Sequence, residues 1–356
     1  MSTMQEKIKF CTGNDGVRIA YAVSGVGLPL VKAAHWLTHI EFDPASPVWR
    51  HWLALLQRQN TLVRYDARGC GLSDWDVDEI SFEGWVRDLE TVVDAAGLER
   101  FPLIGLSQAG AVCVAYAARH PERVSHLVLC GAFARGRAHW ASDRSEESEL
   151  AIRLAEMAWD RENPAFRQTF ATEMLPDGTA EQLRAFTDTM RMSTSARNAG
   201  RILREVARLD VRDAARAVAC PTLVFHSRHD ARVPFEEGRA LAALIPGARF
   251  APLSGRNHVL LENEPAWEIF SDEFESFLPQ PTPALPKVPF EDLSPRETDV
   301  LELIARGLDN AQIAAQLSLA EKTVRNHITS VFAKLGVAHR AQAVVLARDG
   351  GLGRRT

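Results

Sequence analysis

No stretch of this 356-residue chain approaches the ~18 consecutive apolar residues that a membrane-crossing helix needs. Its first residues, Met1 to Lys9, lack the apolar core of a secretory signal. The chain therefore reads as cytoplasmic, with no membrane partner. Cysteine is scarce: Cys11, Cys70, Cys113, Cys130 and Cys220 make five, which leaves one over in any pairing. None stands at a metal-ligand spacing, so they read as buried thiols in a reducing compartment. His35, His39, His226 and His229 share no recurring interval either, so neither a metal nor a cofactor is expected. A strong charge of one sign is also missing. The net charge is -5, and from Phe290 onward nine Lys and Arg face eight Asp and Glu, so the acidic excess lies in the larger N-terminal part. A near-neutral tail does not by itself point to nucleic acid, so that argument must rest on where its charges sit.

What is present is strongly ordered. Residues 8–12 and 17–23 read as two strands around Gly13-Asn14-Asp15-Gly16, whose residue types supply the positive φ of a tight hairpin. Strands are expected at 29–34, 61–65, 101–104, 124–130, 221–225 and 249–253, and helices at 48–57, 82–96, 235–244 and 264–277. Alternating strands and helices imply an α/β fold, a parallel sheet covered on both faces. Between about 135 and 209 the alternation stops and the chain reads as a helical cap. Trp140, Trp159, Phe166 and Phe170 in this cap, with His35 after the third strand, are expected to line a ligand pocket, because a lid must be apolar to exclude water. Residues 279–289 hold five prolines. These prolines make an extended spacer between a domain at 1–278 and a second at 290–356.

The first domain turns on Gly105-x-Ser107-x-Ala109-Gly110, which follows a predicted strand and opens a helix. That is the context of a nucleophile elbow, in which a sharp turn presents a Ser and its neighbours must be small. Asp230 and His258 each follow a later strand, giving the order Ser107, Asp230, His258 along one sheet edge. A Ser hydroxyl is a poor nucleophile until a His accepts its proton and an Asp orients that His. An oxyanion hole needs two N–H groups, here expected from Gln108 and Trp36. With Asp66-x-Arg68-Gly69-x-Gly71-x-Ser73, Asp230-x-x-Val233-Pro234 and Gly255-x-x-His258, these motifs make the first domain resemble the capped α/β-hydrolase fold. The likeness is to the proline iminopeptidase and carbon–carbon bond hydrolase branches. Two departures stand out. Where such proteins carry His-Gly after the third strand this chain has Ala34-His35 and then Trp36, and Lys32 interrupts a strand expected to be buried.

After the spacer, Ser294-Pro295-Arg296-Glu297 is a capping box with Pro at the first helical position, and Gly307 ends that helix. Helices at 310–317, 321–335 and 340–348 complete a small all-α bundle of helix-turn-helix geometry. The helix at 321–335 turns Val324, Ile328, Val331 and Leu335 inward and leaves Lys322, Arg325, Asn326 and Thr329 outward. Arg and Asn read base edges, while Lys and helix amides hold phosphates. The runs Leu293-Ser-Pro-Arg-Glu, Glu321-Lys-Thr-Val-Arg-Asn-His-Ile and Lys334-Leu-Gly-Val closely resemble the LuxR-type DNA-binding domain. By that resemblance Arg325, Asn326 and Thr329 face bases of double-stranded DNA, while Lys322, Thr323, His327 and Lys334 hold its backbone. Ala320 stands where the family has a Ser N-cap, which costs roughly 0.5–2 kcal/mol unless Ser318 compensates.

Two functions fit. One is a transcription regulator that binds DNA as a homodimer and senses a small molecule in the hydrolase-like domain. The other is a working serine hydrolase for an ester, amide, lactone or carbon–carbon bond, with a regulatory DNA-binding tail.

Overall fold

The computed structural model describes residues 6–140, 143–279, 290, 292–349 and 352–353. The chain divides into two compact units, Met1–Pro279 and Gln280–Thr356. The expected proline spacer falls, from 280 to 289, outside the described residues.

The first unit is built on strands β1 (Lys7–Thr12), β2 (Arg18–Gly25), β3 (Leu28–Lys32), β4 (Asn60–Tyr65), β5 (Phe101–Leu106), β6 (Val124–Cys130), β7 (Thr222–Ser227) and β8 (Arg249–Leu253). They form one 8-stranded sheet in the order β1-β2-β4-β3-β5-β6-β7-β8. β1 and β2 pair antiparallel, as do β2 and β4, and every later pairing is parallel. Every residue of β5 and β7 is buried, as a strand covered from both sides requires.

Helices α1 (Arg50–Gln57), α2 (Phe82–Ala95), α3 (Ala109–Arg119), α4 (Asp143–Ala158), α5 (Ala165–Met174), α6 (Ala180–Ser193), α7 (Ala196–Arg208), α8 (Arg212–Ala217), α9 (Phe235–Leu244) and α10 (Pro265–Phe277) complete this unit. α1 and α10 meet through Trp52, whose ring lies 5.0 Å from Trp267 and 4.7 Å from Phe270. Phe270 in turn contacts Phe225 of β7. Fully burying a side chain of this size contributes on the order of 1.5–3 kcal/mol. α2, α3, α8 and α9 follow one another in contact on the sheet.

Helices α4 to α7 leave the sheet after β6 and return at an isolated bridge between Arg135 and Asp210. Two bonds flank that bridge, Gly136 N–H to Leu209 carbonyl (2.7 Å) and Val211 N–H to Ala134 carbonyl (2.8 Å). Elsewhere the cap is tied to the Gly-rich loop. Gly71 N–H donates to Ser193 carbonyl (2.8 Å), and Thr194 Oγ1 donates to Gly69 carbonyl (2.7 Å).

Lys32, the misfit of the third strand, is buried at its carboxyl end. Its ammonium lies 5.7 Å from the centre of the Trp49 ring. Burial pushes its pKa down to about 8, against the pull of the Asp43 and Asp66 carboxylates. Cys70, Cys113, Cys130 and Cys220 are buried and Cys11 is partly so; all five are free thiols. Among the described residues no helix is long and apolar enough to cross a membrane.

The second unit holds α11 (Pro295–Ala305), α12 (Asn310–Leu317), α13 (Glu321–Leu335) and α14 (Arg340–Asp349). Ser294 and Glu297 form the expected capping box, and Asp309 and Gln312 form a second one ahead of α12. Val300, Ile304, Ile313, Val324 and Ile328 make one apolar cluster, while Leu301, Val331, Ala343 and Ala347 sit in another.

Candidate functional sites

β5 ends at Leu106 and α3 starts at Ala109, so Ser107 sits on a turn with no slack. Its φ is 52°, a left-handed value that costs a residue with a Cβ on the order of 1–3 kcal/mol. The turn closes because Gly110 has no side chain: a Cβ there would stand 2.4 Å from the Cβ of Ala132. Ser107 N–H donates to Cys130 carbonyl (2.9 Å), which fixes the turn against β6.

His258 bridges to both partners. Its Nε2 lies 2.9 Å from Ser107 Oγ, and its Nδ1 lies 2.8 Å from Asp230 Oδ2. Asp230 Oδ1 accepts the N–H groups of Arg232 (2.8 Å) and Val233 (2.9 Å). Burial opposes the charge of Asp230. The charge and hydrogen bond of His258, the nearby His226 and the Val233 N–H outweigh it, so the carboxyl is held below its ordinary range. An ionised Asp230 beside Nδ1 leaves Nε2 to accept the Ser107 proton. Gly131, just past β6, makes room for this ring. It has a φ of 60°, and a Cβ there would lie 3.0 Å from His258 Cε1.

Two chambers meet at the Ser. One is lined by Trp140, Ile152, Leu203, Arg137 and Arg232 among others. The other is lined by His35, Leu37, Trp49, Phe186 and His258 among others. Trp36, Ser107, Gln108 and Met174 line both. The backbone N–H groups of Trp36 and Gln108 donate to no acceptor among the described residues. His35 is buried against Trp49, with ring centroids 4.7 Å apart, and its Nε2 has no partner among the described residues. Burial, with the charges of Lys32 and His258, holds its pKa well below the ordinary value, so it is a neutral imidazole.

Of the residues expected in a ligand pocket, Trp140 and His35 line the chambers. Trp159 does not. Its indole is fully buried within the cap, donates to Met190 carbonyl (3.0 Å) and stacks behind Trp36 at 5.1 Å. Phe166 and Phe170 line a separate groove on the cap surface instead. Arg137, Arg232 and Gly131 are not among the residues that the sequence singles out for the site. Arg232 had a signal, an Arg two residues past Asp230, whereas Met174 contributes a backbone carbonyl that no residue type announces. Among the described residues no group of three or more His, Cys, Asp or Glu is placed to share a metal ion.

In the second unit, α13 carries Lys322, Arg325, Asn326 and Thr329 exposed, and Thr323 and His327 half-buried. Its start has no side-chain cap at Ala320. Ser318 does not compensate, because it ends α12 in the left-handed conformation with a φ of 54°. Lys334 is held inside its own unit: its ammonium lies 2.8 Å from Glu297 Oε2. Glu297 also accepts from Ser330 Oγ (2.6 Å) and Ser294 N–H (2.7 Å). The Lys334 and Ser330 bonds lead in holding the Glu297 carboxyl well below the ordinary range.

The family model of the α/β hydrolase fold matches residues 44–265, and that of the bacterial regulatory proteins of the luxR family matches residues 291–347. The chain is 27% identical over 248 residues to pyrrolizixenacetamide deacetylase of Xenorhabdus hominickii, covering 69% of this chain and 90% of that protein. It is 44% identical over 61 residues to the DNA-binding transcriptional activator DevR/DosR of Mycobacterium tuberculosis, covering 17% of this chain and 28% of that protein. Among solved structures, a hydrolase from Pseudomonas aeruginosa PA01 superimposes with a TM-score of 0.64 at 23% identity, covering 77% of this chain and 99% of that one.

Proposed function

Because the chain belongs to the α/β hydrolase fold family and ends in a luxR-family DNA-binding domain, we propose that it is a transcription regulator that takes a small molecule into the cavity at Ser107. The observation that carries this reading is the hydrogen-bonded run Ser107–His258–Asp230 beneath an apolar cap, in a chain whose other unit exposes Arg325 and Asn326 on one helix. Arg325, Asn326 and Thr329 read base edges, and Lys322, Thr323 and His327 hold the DNA backbone. Paired half-sites call for a homodimer.

A second reading is favoured by the 2.9 Å bond between Ser107 Oγ and His258 Nε2, which suits a working serine hydrolase. Ser107 Oγ attacks a carbonyl carbon as His258 takes its proton. Gln108 and Trp36 N–H groups hold the oxyanion, and His258 returns the proton to the leaving group. Water then releases the acyl group from Ser107. Losing one oxyanion donor costs on the order of 10²–10³ in rate. The two readings join if the acyl-Ser107 state is itself the signal.

The test is intact-mass labelling of the purified chain with a fluorophosphonate, with Ser107→Ala as control, followed by binding of labelled and unlabelled protein to a duplex selected from a random pool. Labelling that requires Ser107 and shifts duplex affinity several-fold supports a sensor. Identical affinities would leave the hydrolase reading and remove the sensor.

A further inference from the structure

The Ser107 chamber and the groove on the cap surface share Arg137, Ala151 and Arg232 in their linings. The groove, open to solvent, is bordered on α4 by Leu150 and Leu154. These two stand one turn apart and are 58% and 39% exposed. Arg137 and Arg232 are the charged groups on the shared wall, and Arg232 is the one paired with a carboxylate of the groove. Its guanidinium pairs with Glu173 at 2.5 Å and lies 4.5 Å over the ring of Phe170.

The two ends of that ion pair are unequal. The Arg232 side chain is 12% exposed and that of Glu173 is 45% exposed. Glu173 can swing into water, where a carboxylate is well solvated. The Arg232 guanidinium is less free to do so, being mostly buried and packed over the Phe170 ring, and its backbone is anchored by its N–H to Asp230 Oδ1 (2.8 Å) and its carbonyl to Arg137 Nη2 (2.8 Å). A buried guanidinium left without an anion is strongly disfavoured. A molecule that crosses this wall and displaces Glu173 must therefore bring a negative group of its own. Its remainder must suit Leu150, Leu154 and Phe166.

We infer that the site takes an amphipathic carboxylate, whose apolar body lies in the α4–α5 groove and whose carboxylate replaces Glu173 on Arg232. This rests on the reading of the Ser107 cavity as a ligand site and names the chemical class of that ligand.

Titration calorimetry on the full chain with octanoate, 1-octanol and acetate tests it. Octanoate is expected to bind saturably and at least tenfold more tightly than either control, because only it offers both parts. Glu173→Gln removes the competing carboxylate and is expected to tighten octanoate several-fold. Arg232→Gln is expected to erase the preference for octanoate over 1-octanol. Leu154→Glu is expected to weaken octanoate and leave acetate unchanged. No octanoate binding, equal binding of octanoate and 1-octanol, or a Glu173→Gln chain that binds octanoate more weakly overturns the inference. Glu173 is half-exposed, so its variant keeps the test open if Arg232→Gln does not fold. Calorimetry needs no chemistry at Ser107. A chain that binds octanoate without being labelled loses the hydrolase reading and keeps this one.

Discussion

The backbone N–H of His258 donates to the carbonyl of Met174, 2.9 Å away at the end of cap helix α5. The residue hydrogen-bonded to Ser107 Oγ therefore hangs partly from the cap. Asn257 strengthens the link. Its Oδ1 accepts Asp177 N–H (3.0 Å), its Nδ2 donates to Glu264 (3.2 Å), and Ser227 Oγ donates to its carbonyl (3.0 Å).

Asn257→Ala should loosen this link. Removing a buried side chain with two hydrogen bonds costs about 1–3 kcal/mol. The rate of fluorophosphonate labelling at Ser107 should fall by about tenfold or more, since small displacements of a catalytic group cost on that order. Stopped-time mass spectra and a urea melt measure the two effects. A stability loss with unchanged labelling would show that the cap does not position His258.

Asp66 sets a pH dependence. Its carboxylate accepts Leu72 N–H (2.9 Å) and Ile40 N–H (3.2 Å) while fully buried. Burial raises its pKa to about 7, with Asp43 adding to the rise and the two N–H groups and Arg64 opposing it. Because the folded value lies above the unfolded one, the contribution of this group is complete below about pH 4 and is lost as pH rises through 7. Asp66→Asn cannot ionise and keeps an oxygen for both donors. Its stability relative to the unmutated chain should grow by on the order of 2–4 kcal/mol between pH 4 and pH 8. Urea titrations at the two pH values read this, and a flat difference would contradict it.

Ala320→Ser should stabilise the DNA-binding unit. Residue 320 already has extended backbone, with φ -75° and ψ 144°, so a hydroxyl there needs only to accept a first-turn N–H. The gain should be about 0.5–2 kcal/mol, visible as a higher melting temperature for that unit.

Lys322 and Lys334 should part company on DNA. Lys322 is free of ion pairs among the described residues, whereas Lys334 is engaged by Glu297. Lys322→Gln should lower the salt dependence of duplex binding by about one unit of slope. Lys334→Gln should leave the slope unchanged and lower thermal stability instead. Equal slopes for both variants would count against the internal role of Lys334.

The sheet was legible because strands and helices alternate with clear periods, and the Ser107, Asp230 and His258 set because each follows a strand at the same edge. The cap was legible as helices but not as a surface. Periodicity tells which side of a helix is apolar, not which neighbour it meets. Trp159 faces Met190 and Trp36 rather than the chamber, and Phe166 and Phe170 open onto the groove. Gly131 and the Met174 carbonyl act through backbone and empty space, which residue identity does not advertise. Lys334 lies on the outward side of its helix, yet its long stem reaches back to Glu297.

The cap begins and ends at one point, the bridge between Arg135 and Asp210. An insertion whose two ends touch can be lengthened, shortened or exchanged without stretching the sheet beneath it. Natural selection could therefore reshape the chambers at Ser107 by altering the stretch between those two residues, while the strands that carry Ser107, Asp230 and His258 keep their register.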